Sequence, residues 1–274
     1  MDEEADAGDE CISELITNAI QALEELKRRL GVFRLRRNEF TGDLSLYGFL
    51  RGCWECGNAA LCVARDTEYT VGAYPCARAS FEAAEDALLL VTEQFYSEAG
   101  ARVRVFERLE HADLKQEMHK AFADDDDEGP TQGYGEAAAS VEKDAANWDT
   151  DCPGRGELLR SALAHFQPLF AKARNGGRHP SHWSSLNRRR MAAEIGRRVA
   201  DPPFAQSLAA TYAQLSRASH PRFRIESWEK YRAESGAKRF RRHPREARII
   251  LGIIELSART ASMAFDRIKG DELR

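Results

Sequence analysis

The sequence is poor in everything that builds sheets, spans or staples. No uninterrupted apolar run approaches the roughly eighteen residues needed to cross a bilayer, so no membrane helix is expected. Sustained apolar–polar alternation is missing, and no Asn-Gly pair sits between β-branched runs, so strands are not expected either. Proline is scarce, and Pro75, Pro153, Pro202–Pro203 and Pro244 fall where helices would begin. Six cysteines (Cys11, Cys53, Cys56, Cys62, Cys76, Cys152) are too few in 274 residues for a secreted disulfide framework. The opening MDEEADAGDE has neither the basic nor the apolar region of a signal peptide, and the closing DELR is no retention signal. A soluble, cytoplasmic chain is the expectation.

What is present is helix-forming and unevenly charged. The net charge is −4 with 43% hydrophobic residues. Residues 1–150 hold 32 acidic and 15 basic side chains, against 12 and 25 in the rest. Basic clusters recur in RNGGRH, NRRR and KRFRRHPREAR. This basic half reads either as a face for phosphate, and hence RNA, or as the counter-charge to the acidic half of the same protein.

Apolar residues at three- and four-residue steps predict an all-α, multi-helix bundle of eight or nine helices. An acidic tail at 1–10 is expected to be disordered. The N-terminal helical part covers 11–123, with helices at about 12–30 (closed by Gly31), 44–65 (Asp43 as N-cap), 74–97 and 101–123. ADDDDEGPTQGYGE supplies a flexible acidic linker over 124–135. The basic part, 136–274, carries helices at about 136–147, 154–173, 185–199, 204–219 and 244–269, with a shorter one at 224–234. The two parts are expected to pack as one domain. Helix 44–65 carries Gly48, Gly52 and Gly57 beside Cys53, Cys56, Ala59 and Ala60. Each glycine costs up to about 1 kcal/mol of helix propensity, so another helix should approach this small-residue face, and a homodimer through it is expected.

Few side chains suggest chemistry. Cys53-Trp54-Glu55-Cys56 spells Cys-x-x-Cys, but mid-helix it lacks the strand-to-helix turn of a redox site, and Cys62 and Cys76 are not spaced as further zinc ligands. Core packing is the simpler reading. His111 and His119 lack a Glu three residues earlier, so a carboxylate-bridged metal helix is not indicated and a solvated face is. No metal or cofactor is expected. Arg78 and Glu82 stand one helical turn apart, as an orienting pair or a surface bridge. Tyr212, Ser216 and His220 line one side of a helix that Pro221 should end, with Arg217 adjacent; His220 there also suits the helix dipole. No Gly-x-Ser-x-Gly elbow makes Ser216 a nucleophile.

Two resemblances follow. CARASFEAAEDALLLV, with SHWSSLNRRRMAAEIG and LAATYAQLSRASHP, resembles the Arg-x-x-x-Glu and Tyr-x-x-x-Ser-x-x-x-His signatures of a bacterial all-helical family of unknown function. The matching positions are Arg78, Glu82, Trp183, Ser184, Tyr212, Ser216 and His220, within about 45–222. That family brings no established activity, and its likeness to HEPN-type proteins is one of helical architecture. Separately, Arg174-Asn175 followed by His179 has the R-N-x-x-x-H spelling of metal-independent HEPN ribonucleases, in which Arg holds a phosphate and His moves the proton. Gly176-Gly177 and Pro180 interrupt a helix there, which favours a phosphate-friendly loop. Two functions are therefore expected to compete: an interaction protein of a stress or defence setting, or a metal-independent ribonuclease or toxin-type effector acting on RNA.

Overall fold

The structure is a computed structural model that describes residues 3–65, 70–122, 132–174, 180, 182–219 and 244–272. Among these the regular structure is entirely helical. The elements are α1 (Glu3–Val32), α2 (Phe40–Arg65), α3 (Thr70–Val91), α4 (Tyr96–Phe122), α5 (Gln132–Asp151), α6 (Arg155–Arg174), α7 (Arg188–Val199), α8 (Pro202–Ser219) and α9 (Pro244–Glu272). The all-α expectation holds.

Several boundaries differ from the sequence reading. Helix α1 begins at Glu3, inside the stretch expected as a disordered tail; acidic residues at a helix N-terminus are favoured by the helix dipole. It also runs through Gly31 to Val32, so Gly31 does not close it. Helix α2 begins at Phe40, which puts Asp43 inside its first turn rather than at the cap. Helix α3 stops at Val91, where the Thr92 hydroxyl and amide both donate to the Leu89 carbonyl. A separate α4 starts at Tyr96, leaving Phe95 exposed instead of in the α3 stripe. Of the linker 124–135, residues from Gln132 belong to α5, and the remainder lies outside the described residues, as does 224–234.

The chain divides into two compact units, and the division is not at the acidic linker. One unit comprises 1–34, 46–92 and 188–274; the other comprises 35–45 and 93–187. Chain order is a poor guide here because each unit gathers its apolar faces from segments far apart in sequence.

In the first unit α3 is the central helix, packed along α9 and against α7 and α8, with α9 also packed on α1. Its second half, Ala84 to Leu90, is buried without a break, as expected of a helix surrounded by others. Helix α9 contributes Ile250, Leu251, Ile254, Ala258, Ala261 and Phe265 to the core. Helix α2 approaches α3 through Gly57, where a Cβ would lie 2.8 Å from Leu23 Cδ2 and 3.2 Å from Ser80 Oγ. Ser80 donates to the Cys53 carbonyl at 2.8 Å. A tight turn at Ala200 (φ 58°) links α7 to α8, and Asp201 caps α8 by accepting from the Phe204 amide at 3.0 Å.

The second unit is built on α4, α5 and α6, with α4 packed on both others. Phe106, Phe166 and Phe170 form its aromatic centre, with ring centroids 5.6–6.5 Å apart. Gly154 (φ 84°) turns the chain between α5 and α6. There Asp149 accepts from the Gly156 amide and from Arg160.

Candidate functional site

Helix α3 carries Arg78, Glu82, Glu85 and Asp86 within little more than two turns. Residues three and four apart share a helix face, so these four form one polar strip on an otherwise apolar helix. Arg78 Nε donates to Glu82 Oε1 at 2.8 Å. The Arg78 guanidinium also lies over the ring of Tyr212 on α8, 5.8 Å from its centroid, a cation–π distance. Three of the residues singled out in the sequence (Arg78, Glu82, Tyr212) thus stand together, half-buried. Ser216 is half-buried one turn beyond Tyr212.

The centre of the cluster is Arg188, which the sequence reading did not select. It is the first residue of α7, and only 21% of its side chain is exposed. Its Nη1 and Nη2 each donate to one Asp86 oxygen at 3.3 Å, a two-pronged contact. Glu82 Oε2 lies 3.7 Å from Nη2, and Glu85 Oε2 lies 3.8 Å from Nη1. Burial works against the charge of Arg188, but Asp86, Glu82 and Glu85 outweigh it and its pKa is raised.

Glu85 is the unusual member. It is fully buried, and neither carboxylate oxygen has a hydrogen-bond partner among the described residues. Burial pushes its pKa up to about 8; Arg188 pulls the other way, and Asp86 and Glu82 add to the rise. With Glu85 protonated, two guanidinium groups face two carboxylates and the cluster is neutral. A signal for this was present in the sequence: Glu85-Asp86 interrupts the apolar stretch AAEDALLLV, and charges on a buried helix are rare unless paired.

The other candidates divide as follows. Cys53 is buried against Ser80, with Sγ and Oγ 3.5 Å apart, and its thiol is pushed up to about 12 by burial. It is a packing residue there, without thiolate character. Cys56 is half-buried, and its thiol is raised by burial and by the neighbouring Cys76. His111 is exposed. Among the described residues no group of three or more His, Cys, Asp or Glu side chains is arranged to hold a metal ion. Arg174 is the last residue of α6; its side chain and His179 lie outside the described residues, as do the Arg217 side chain and His220.

Trp183 and Ser184 belong to the second unit. Trp183 is buried, and its indole N–H has no partner among the described residues. The Ser184 hydroxyl is 2.6 Å from His182 Nδ1 and accepts from the Leu186 amide, while Ser185 takes φ 60°. His182, also missed from the sequence, is buried beside Phe106. These contacts close a local Ser/Thr-type turn.

Among the described residues, several arginines of the basic half are engaged by carboxylates. Arg160 meets Asp149, Glu142 and Glu157; Arg197 and Arg198 share Glu194; Arg259 pairs with Glu255. Arg188 and Arg160 use acids from the first 150 residues, the counter-charge alternative raised by composition. Comparison with known families, curated proteins and solved structures finds no match for this chain.

Proposed function

We propose that this chain is a helical interaction protein that associates with a second copy of itself through the outer face of α2. The observation carrying the reading is Gly48. It sits mid-helix and exposed, and nothing lies within 4 Å of where its Cβ would be. Gly57 is explained inside the unit by Leu23 and Ser80. Gly48 is not, although a helical glycine costs about 1 kcal/mol relative to alanine. The same face carries Arg51 and Glu55, exposed and paired at 2.7 Å, with Gly52, Ala59 and Cys62 around them. A two-fold contact between antiparallel α2 helices would set Arg51 of each copy against Glu55 of the other, the reciprocity an isologous interface requires. Small residues at 48, 52 and 59 let the backbones come close.

The reading is tested by sedimentation equilibrium. A dimer is expected for the full chain, a monomer for Glu55→Arg, and a dimer again for Arg51→Glu/Glu55→Arg, which preserves the charge pairing. A monomer at high micromolar concentration for the unaltered chain would overturn it. The competing ribonuclease reading is tested by incubating the protein with total RNA in EDTA. Intact RNA is expected; cleavage that disappears in His220→Ala would replace the interaction reading with the enzymatic one.

A further inference from the structure

Three carboxylates on one face of α3 gather around the Arg188 guanidinium that α7 brings to them. Asp86 holds the two-pronged contact at 3.3 Å, and Glu82 is shared between Arg188 and Arg78. Among the described residues, Glu85 has no hydrogen-bond partner and is fully buried, with Nη1 of Arg188 at 3.8 Å. An ionised carboxylate cannot be kept in such surroundings without a large desolvation cost. When adjacent carboxylates crowd one site, a proton settles on the one least served by partners.

We propose that Glu85 is a proton-operated latch between α3 and α7: protonated, it sits uncharged beside Arg188, which stays seated on Asp86 and Glu82, and ionised, it can be hydrated only if the buried cluster opens, which loosens the α3–α7 contact. The charges acting on Glu85 are Arg188 from α7, and Glu82 and Asp86 from its own helix. Arg78 reaches it only through Glu82, and Tyr212 of α8 only through Arg78. Cys53 of α2 stays neutral against Ser80. Glu246 of α9 acts on Tyr74 instead, about three helical turns from Glu85. Among the described residues, Arg188 is the group that compensates a charge on Glu85 from across the helix. Burial pushes its pKa to about 8, so the latch would work near neutrality and above.

The test uses the full chain labelled with ¹³C at Asp and Glu carboxyls, and amide exchange of α7 followed across pH. Glu85 is expected to titrate more than about two pH units above the ordinary glutamate value. Protection of the α7 amides is expected to fall over the same range in the unaltered chain and to stay flat in Glu85→Gln, which mimics the protonated acid. Titration of Glu85 at the ordinary glutamate value would overturn the proposal, and so would an equal fall in α7 protection in both proteins. The carboxyl titration is read without any substitution, so it decides the matter even if Glu85→Gln does not fold.

Discussion

Gly100 of α4 lies against the backbone of Thr41 at the start of α2: a Cβ on Gly100 would stand 2.5 Å from both the carbonyl carbon and oxygen of Thr41 and from the Gly42 nitrogen. Two hydrogen bonds hold the approach, Thr41 Oγ1 to the Ser97 carbonyl at 2.7 Å and Ser45 Oγ to the Gly100 carbonyl at 2.9 Å. Backbone cannot move aside as a flexible side chain can. Gly100→Ala should destabilise the protein by at least about 2 kcal/mol, the range for overpacking, measured by urea unfolding. Gly48→Ala, with open space at its Cβ within the protomer, should instead be neutral or stabilising by up to about 1 kcal/mol for the folded protomer, while the added methyl groups weaken self-association in sedimentation.

Asp43 is fully buried and accepts from the Arg36 amide at 2.6 Å, from the Arg36 guanidinium at 2.6–3.2 Å, and from the Tyr96 hydroxyl at 3.2 Å. The hydrogen bond to Asp43 outweighs burial and raises the pKa of Arg36, while burial, followed by the Asp43 charge, raises that of Tyr96. Asp43→Ala removes the carboxylate that all three donors share. A loss of about 3 kcal/mol is expected, far more than removal of Glu55 from the exposed Arg51 pair costs the folded protomer.

Arg188→Met should be among the most disruptive changes in the first unit, because it removes the cation that buried Asp86 and Glu85 both face. A cost of about 3–5 kcal/mol is expected. Glu82→Gln should cost less, since Asp86 still holds Arg188. The double mutant Glu82→Gln/Arg188→Met should fall short of the sum of the singles by 0.5 kcal/mol or more in a urea-unfolding cycle. Additive effects would mean that the 3.7 Å approach of Glu82 to Arg188 carries no energy.

Stability should fall on the alkaline side. Glu85 has a folded-state pKa of about 8 against an ordinary 4.5, so the fold binds a proton that the unfolded chain releases. Its contribution is fully present below about pH 4.5 and is lost as pH rises through 8, with a slope approaching ~1.4 kcal/mol per pH unit. Glu85→Gln should abolish that slope. Glu194 acts in the opposite sense: Arg197 first, then Arg198, lower its pKa to about 2. Its contribution is present above 4.5 and lost as pH falls toward 2. Urea midpoints from pH 3 to 9 check both limbs.

Where sequence and structure part company, the reason is the range over which the deciding force acts. The pair Arg78 and Glu82 was legible because four residues is one helical turn, and the α3 backbone alone brings them together. Asp43 was misjudged as a cap because its true role is set by Arg36 and Tyr96, the latter contributed by another helix. Gly100 gave no signal at all, since what a glycine permits depends on the backbone opposite it. Glu85 and Asp86 did carry one, as charges inside an apolar run, but nothing in the run says which cation answers them.

The sequence by itself determined that the chain is helical and roughly where the helices lie, because a 3.6-residue apolar period is a local property that each helix carries alone. It also determined that the acidic and basic halves hold opposite charge. Only the tertiary structure decided which of Arg188, Arg189 and Arg190 enters the carboxylate cluster, 102 residues along the chain from Asp86. The three arginines are equivalent in sequence; the start of α7 and the burial of Met191, Ala192 and Ile195 turn the first of them inward toward α3, where loss of solvent makes an ion pair obligatory.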